Sequence, residues 1–437
     1  MYGDARVLQD RAQKDPGPAD PRALLEAAFR AAVRRAHPAT CLPPHVPAPP
    51  QDGRLLILGA GKAAAAMAQA AEAAFGDAAR GVVVTRTGYG LPTQRIEVLE
   101  AAHPVPDATS VAAAERLLAE AAGAAPGDTV VFLLSGGASA LLAAPARGVS
   151  LADKQAVTRA LLRSGATISE INTVRRHLSR IKGGRLAQAC RGRLLTLAIS
   201  DVPGDDPAAI ASGPTVPDPT TLADARAVLA RHGIDAPASV AAALADPANE
   251  TAKPGDPAFA RTDYRLIATP GDALQAAAGK LRARGYAVDM LGDAVEGEAR
   301  EVARTHARLA IEARAKGGRR AILSGGELTV TICGEGTGGP NREYALALAV
   351  ALDGAAGIWA LAGDSDGADG APGPDGGDVA GAVVTPDTLA RAEVLGLDAH
   401  AALAANDSGG FFHRLGDAVI TGPTQTNVND VRVILID

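Results

Sequence analysis

The sequence predicts an α/β protein: a Rossmann-like domain with a mostly parallel sheet, then a smaller α/β domain, with the active site in the cleft between them. Three observations carry this expectation. Short, fully apolar strands alternate with helical stretches from residue 55 onward, the pattern of a parallel sheet covered on both faces. The first such strand, Leu55–Leu58, runs into the glycine turn Gly59-Ala60-Gly61 and then a helix. A polar, Pro- and Gly-containing stretch at 246–263 separates two such series.

In chain order, residues 21–36 read as an amphipathic helix, and the Pro-rich run Pro43–Pro50 must be extended. Strands follow at 55–58, 82–85, 96–100, 130–134 and 194–199, with helices near 62–75, 109–122, 151–164 and 182–190. Helical patterns at 220–231 and 237–245 close an N-terminal domain of residues 1–245. Residues 246–263 read as a linker or surface excursion, and 264–437 as the C-terminal domain. Its expected elements are strands at 264–269, 286–291, 320–324, 328–332, 357–362 and 431–436, and helices at 271–284, 297–316 and 341–353. A cleft between two α/β domains is a usual place for a two-substrate site.

Composition narrows the function. Aromatics are only 3% of 437 residues, so the core is expected from Ala, Val, Leu and Ile, and no stacking platform for single-stranded nucleic acid is available. Net charge is −6 with the signs intermixed, so neither nucleic acid nor an anionic membrane is an expected partner. No apolar run is long enough to span a bilayer, and an N-terminus holding Asp4, Arg6, Asp10 and Lys14 is too polar for a signal peptide. Three scattered cysteines form no CxxC pair, as in a reduced, cytoplasmic protein. The partners expected are small molecules, with a homodimer left open.

Gly59-x-Gly61-x-x-Ala64 matches the dinucleotide fingerprint but places Lys62 at the first helical turn, where backbone N–H groups attract phosphate. A phosphoryl-transfer enzyme has a use for that lysine. A Walker A loop is excluded, because Leu56 and Ala63 stand where Gly and Ser or Thr are required. After the next strand comes Thr85-Arg86 rather than a ribose-binding acid, so an NADP-type site stays open on this segment.

Other segments offer anion-binding chemistry. Ser135-Gly136-Gly137-Ala138-Ser139 follows a strand and can point several N–H groups one way; Ser324-Gly325-Gly326-Glu327 repeats the pattern. Residues 168–189 are rich in cations, and Asn172, Arg176 and Arg180 share a helical face, which makes Arg176 a candidate anion ligand. Asp201 lies just past the C-terminal end of a parallel strand, where it can hold Mg²⁺ or orient a hydroxyl. The loop 334–342, with Gly338, Gly339, Asn341 and Arg342, can wrap phosphate. Asp364, Asp366 and Asp369 cluster on a later loop whose spacing excludes an EF-hand and suits Mg²⁺ held with ATP phosphates. His103 follows a strand, and it is read first as structural.

Taken together and in order, these segments resemble the glycerate 2-kinase family, whose C-terminal domain is called MOFRL. The matching pieces are GAGKAA at 59–64, HPVPD at 103–107, SGGASALL at 135–142, INTVRRHLSRIKGG at 171–184 and SDVPGDDPAAIASGPT at 200–215. They continue with SGGELTVTICGEGTGGPNRE at 324–343, GDSDGADG at 363–370, NDSGGFF at 406–412 and TGPTQTNVNDVRVILI at 421–436. The resemblance covers about residues 20–437, with the MOFRL-like region at about 320–437. It implies ATP- and Mg²⁺-dependent phosphorylation of D-glycerate to 2-phosphoglycerate, with Lys62, Asp201 and Arg342 as catalytic residues. On this reading Asp201 and Asp366 serve Mg²⁺ or the acceptor hydroxyl, with Asp366 the best motif match in the acidic loop. The family's glycine loop often carries an arginine where this chain has Pro340, and Arg342 is the arginine left to replace it. Two rivals remain: an NAD(P)-dependent hydroxypyruvate reductase resting on the fingerprint and Arg86, and a non-catalytic sugar-acid-binding protein.

Overall fold

Six strands of the first half assemble in the order β3-β2-β1-β4-β5-β6, every neighbouring pair parallel. They are β1 (Leu55–Ala60), β2 (Arg80–Arg86), β3 (Ile96–Ala101), β4 (Thr129–Leu134), β5 (Arg193–Ile199) and β6 (Thr262–Ala268). This is the Rossmann order, and it reverses direction between β1 and β4, where the loops beyond the strands part to leave a crevice. The computed structural model describes residues 20–437, so Asp4, Arg6, Asp10 and Lys14 lie outside the described residues. No helix among the described residues is long and apolar enough to cross a membrane.

The central strands are apolar because both of their faces are covered. All six residues of β4 are buried, and the alanine-rich helices Ala64–Phe75 and Ala108–Ala122 pack against β1 and β2. Leu58, Val82, Val130, Phe132 and Leu194 join Ala113, Ala114 and Leu117 in one core, with Phe132 its only fully buried aromatic ring. Small alanines let helices approach the sheet closely, which is how a chain so poor in aromatics reaches interior packing density. Cys41 and Cys190 are buried and Cys333 is exposed, none of them in a disulfide. Burial pushes the Cys41 thiol up to about 12, which makes it inert at neutral pH.

The chain divides into two units. One comprises Val33–Ala273 together with Pro423–Asn429; the other comprises the described residues up to Ala32, Leu274–Gly422 and Asp430–Asp437. The division therefore falls ten residues later than the sequence suggests, because β6 pairs in parallel with β5 and completes the first sheet. The stretch expected as a linker carries short turns at Pro247–Asn249 and Pro257–Arg261, with Asn249 and Thr251 buried. Pro, Gly and Asp mark turns, and a turn leads into an edge strand as readily as it separates domains.

The second unit holds a sheet ordered β13-β12-β11-β14-β9-β7, built from β7 (Ala287–Met290), β9 (Arg320–Ser324), β11 (Ile358–Asp364), β12 (Gly381–Val384), β13 (Ala418–Val419) and β14 (Asp430–Ile436). Two-residue strands β8 (Gly297–Glu298) and β10 (Leu328–Thr329) pair separately. Only β7 and β9 run parallel in the main sheet, so this unit is a mixed rather than a parallel layer. β12 and β13 escape the sequence reading because four and two residues between Gly-rich loops are too short to show a period. The helix Pro340–Leu352 buries ten of its residues, seven of them in this unit's apolar core, where Tyr344, Phe411 and Phe412 supply the bulk.

Candidate active site

At the C-terminal ends of β1 and β4 two glycine turns lock into each other. Gly61 has φ near +137°, and a Cβ on it would sit 2.1 Å from Ser135 Oγ. Lys62 N donates to Gly136 O at 2.8 Å, Ala63 N to Ser135 Oγ at 3.0 Å, and Gly61 N to Val84 O at 3.0 Å. Gly61→Ala combines forbidden backbone geometry with a steric clash. We expect a loss on the order of 2–4 kcal/mol, read as a lower denaturant midpoint at unchanged slope.

This interlock changes two expectations. The amides of Gly61, Lys62, Ala63 and Ala64 at the helix start are already bonded within the protein and are not free for a phosphate. Ser135, expected as an anion ligand, is fully buried and holds the turn instead. The same bonds remove the amides on which a dinucleotide pyrophosphate would rest. Arg86, the other support for NADP, packs its guanidinium 5.0 Å from the centroid of the Tyr89 ring.

The turn after β4 is nevertheless the hub of the site. A Cβ on Gly136 would lie 1.9 Å from Asp201 Oδ2 and 2.6 Å from Asn427 Nδ2. One on Gly137, itself at φ near +81°, would lie 3.1 Å from His103 Nε2 and 3.2 Å from Lys62 Cγ. Loops after β1, β3, β4 and β5 thus bring Lys62, His103, the Gly136-Gly137 backbone and Asp201 together at the switch point. Asn427 Nδ2 donates to Asp201 Oδ2 at 3.0 Å. The loop beyond Asp201 is strained: Asp205, Ala211 and Ser212 all have φ between 54° and 60°. Such strain in non-glycine residues concentrates at functional sites.

Beside Gly137 opens a cavity of about 420 Å³ lined by His103, Ser139, Lys154, Arg159, Arg175 and Lys182 among others. Lys182 Nζ donates to Ser139 O and Oγ, both at 2.8 Å, so Ser139, expected as a phosphate ligand, here accepts from a lysine. Lys154 Nζ donates to Leu178 O at 2.7 Å. Burial, reinforced by Arg175 and Arg185, brings Lys154 down to about 7. Burial likewise holds Lys182 well below the usual lysine range, with Lys154 and Arg175 adding to it.

Between pH 7 and the ordinary lysine value of 10.5 the unfolded chain binds a proton at position 154 that the folded chain does not. The contribution of Lys154 to stability therefore rises with pH through that window, and below it the buried charge is a full burden. Lys154→Met should melt higher than the parent at pH 6–7, with the gap closing toward pH 10.

Arg176, expected to bind anions, is paired with buried Asp218 at 3.3 Å, and Arg180 is committed to Glu115. Adjacent residues on a helix point about 100° apart, so it is Arg175 that lines the cavity.

In the second unit, Arg342 is 2% exposed. Its Nε and backbone N donate to Asp369 Oδ2 at 3.0 Å each, and Nη2 to the carbonyls of Asp369 and Ala371. Arg342 therefore uses its Nε and Nη2 to fasten the acidic loop to a helix start, a structural role in place of the catalytic one expected. Asn341 donates to Asp369 and, at 2.6 Å, to Asp430. Gly338 and Gly339 pack against Ser408 and the Asp369 backbone, so closeness rather than phosphate binding demands glycine there. The carbonyls of Gly325 and Gly326 accept from buried Arg432 at 3.0 Å, so this turn presents oxygens to a cation, with Ser324 buried and Glu327 exposed. Asp366 is buried and accepts from Ala368 N at 2.8 Å, the bond of a loop cap. Among the described residues no three His, Cys, Asp or Glu side chains form a metal-holding group.

His103, Asn427, Lys154 and Arg175 are the residues the sequence reading left out of the site. Lys154 had a signal: it shares a helix face with Val157 and Leu161, an apolar stripe that a solvated lysine would not join.

Fold and site define a two-unit α/β enzyme whose functional groups meet at a Rossmann switch point. Residues 24–245 match the domain of unknown function DUF4147, and residues 320–430 match the MOFRL family. A D-glycerate 2-kinase of Thermotoga maritima is 39% identical over 88% of this chain and 91% of its own length. An Agrobacterium vitis chain, provisionally named hydroxypyruvate reductase, is 53% identical over 95% of this chain and 94% of its own. The crystal structure of glycerate kinase from Thermotoga maritima superposes with a TM-score of 0.84 at 36% identity, covering 95% of this chain and all of that one. The chain belongs to the glycerate 2-kinase family.

Proposed function

We propose that this enzyme transfers the terminal phosphoryl group of ATP to the 2-hydroxyl of D-glycerate, with Mg²⁺. The observation that carries the reading is the convergence of Lys62, His103 and Asp201 on the Gly136-Gly137 backbone, in a chain akin to glycerate 2-kinases. Phosphoryl transfer asks a protein for positioning and charge neutralisation more than for covalent chemistry. Lys62 supplies a cation where charge develops on the migrating group. Asp201, oriented by Asn427, accepts a hydrogen bond from the acceptor hydroxyl and takes its proton as the new bond forms. Magnesium is bound in such sites by one or two carboxylates with the nucleotide phosphates, and it neutralises charge on the phosphate oxygens. Asp201 fits that manner of binding. The reductase named for the Agrobacterium vitis relative would need a pyrophosphate seat that the Gly61–Ser135 interlock fills. The intermixed charges and scarce aromatics of the sequence favour small-molecule partners, and its scattered cysteines a reducing, cytoplasmic setting.

The test is incubation with D-glycerate, ATP and Mg²⁺, the product coupled to enolase with no phosphoglycerate mutase present. Immediate signal is the expected result. Signal only after mutase is added would move the reaction to the 3-hydroxyl, and no signal in either case would overturn the reading. NADPH consumption with hydroxypyruvate would then establish the reductase.

A further inference from the structure

The cavity beside Gly137 is lined by basic side chains, Lys154, Arg159, Arg175, Lys182 and His103, with no carboxylate among them. Lys154 and Lys182 are 7% and 2% exposed, yet their ammonium groups rest only on neutral oxygens: Leu178 O for one, Ser139 O, Ser139 Oγ and Ala211 O for the other. Among the described residues none hydrogen-bonds to or ion-pairs with the half-buried guanidinium of Arg175, and the same holds for exposed Arg159. A buried amine is costly to protonate without an anionic partner, and an anionic ligand supplies the missing sign.

The surroundings of the cavity define the ligand further. Pro104, Val105, Ala140 and Leu162 form an apolar wall, so the cations act in a setting that strengthens their pull. The volume lies within the range of small-molecule pockets, of order 300–1,000 Å³. Its Gly137 rim is also the point that Lys62 and His103 approach.

We propose that this cavity is the acid-recognition pocket of the acceptor, with Arg175 and Lys182 binding the carboxylate of the hydroxy acid. This rests on the kinase reading above. The carboxylate sits against the guanidinium of Arg175 and the ammonium of Lys182, while Lys154 behind them adds charge. The hydroxyl then faces Gly137, toward Lys62. Selection of a hydroxy acid over a neutral polyol is made here, and glycerol is excluded because it leaves the cations unpaired.

The experiment compares Arg175→Leu, Arg175→Lys and Arg159→Ala with the parent. In steady-state kinetics, Arg175→Leu should raise the KM for D-glycerate at least tenfold, leave the KM for ATP within twofold, and be partly rescued by Arg175→Lys. A rise in the KM for ATP with that for glycerate unmoved would overturn the proposal. Calorimetric titration with malonate, a diacid with no hydroxyl to phosphorylate, reads the pocket independently of turnover. Binding to the parent that is lost in Arg175→Leu supports the proposal even where the parent proves inactive on glycerate. Absence of malonate binding to the parent overturns it. Arg159, exposed and unbonded, gives a variant that keeps the fold should Arg175→Leu misfold; weakened malonate binding supports the pocket, and unchanged binding by both correctly folded variants refutes it.

Discussion

Lys62→Ala lowers kcat with D-glycerate by on the order of 10²-fold or more and changes the melting temperature little. The split follows from where the residue's two halves act. Its backbone N–H and C=O hold the interlock, to Gly136 O and from Thr85 Oγ1, and both survive the substitution. Its side chain runs past Gly137, where a cation meets charge that is larger in the transition state than in the bound substrate. An interaction made mainly in the transition state lowers kcat rather than raising KM. Near-normal turnover in Lys62→Ala would remove the lysine from the mechanism.

Arg342→Ala behaves in the opposite way. It removes the partner of Asp369, which is almost fully buried and whose carboxyl burial already pushes up against the opposing pull of Arg342. Breaking such a pair typically costs about 3–5 kcal/mol, because one buried charge is left uncompensated. The expected result is a large fall in the denaturation midpoint, with kcat of the remaining folded enzyme close to the parent's. An intact melt with turnover reduced a hundredfold would return Arg342 to the catalytic role. The substitution Arg342→Met, which keeps the volume and loses the charge, should destabilise as well, because Asp369 remains unpaired.

These two residues show what a sequence can and cannot disclose. Lys62 was legible because a glycine turn between an apolar strand and a helix fixes its position within a residue or two. Arg342 was equally visible as a residue but not in its role, since nothing in GGPNRE says that Asp369 will fold back onto it. Pro340 held part of the answer: proline suits the first position of a helix and gives a phosphate nothing to hold. The parallel first sheet could be read because strands covered on both faces are apolar throughout, whereas β12 and β13 are too short for any pattern. In the site, the aspartate after β5 was found from topology alone. Asn427 was missed because its contact with Asp201 spans 226 residues, and no local spacing encodes that. Arg175 and Arg176 are neighbours in sequence, and which of them faces the cavity depends on the setting of the helix Ile168–His177 against its surroundings.

The late return of residues Pro423–Asn429 to the first unit also bears on biosynthesis. A ribosome finishes all six strands of the Rossmann sheet when little more than half the chain has been made, yet the amide that orients Asp201 is among the last residues to emerge. The next segment made is β14, an inner strand of the other sheet, between β11 and β9. A chain that stops short of Asn427 thus carries all six strands of the first sheet but lacks the amide that orients Asp201. A chain ending just before Asn427 is therefore expected to show no turnover with D-glycerate and ATP, which an assay of the truncated product checks.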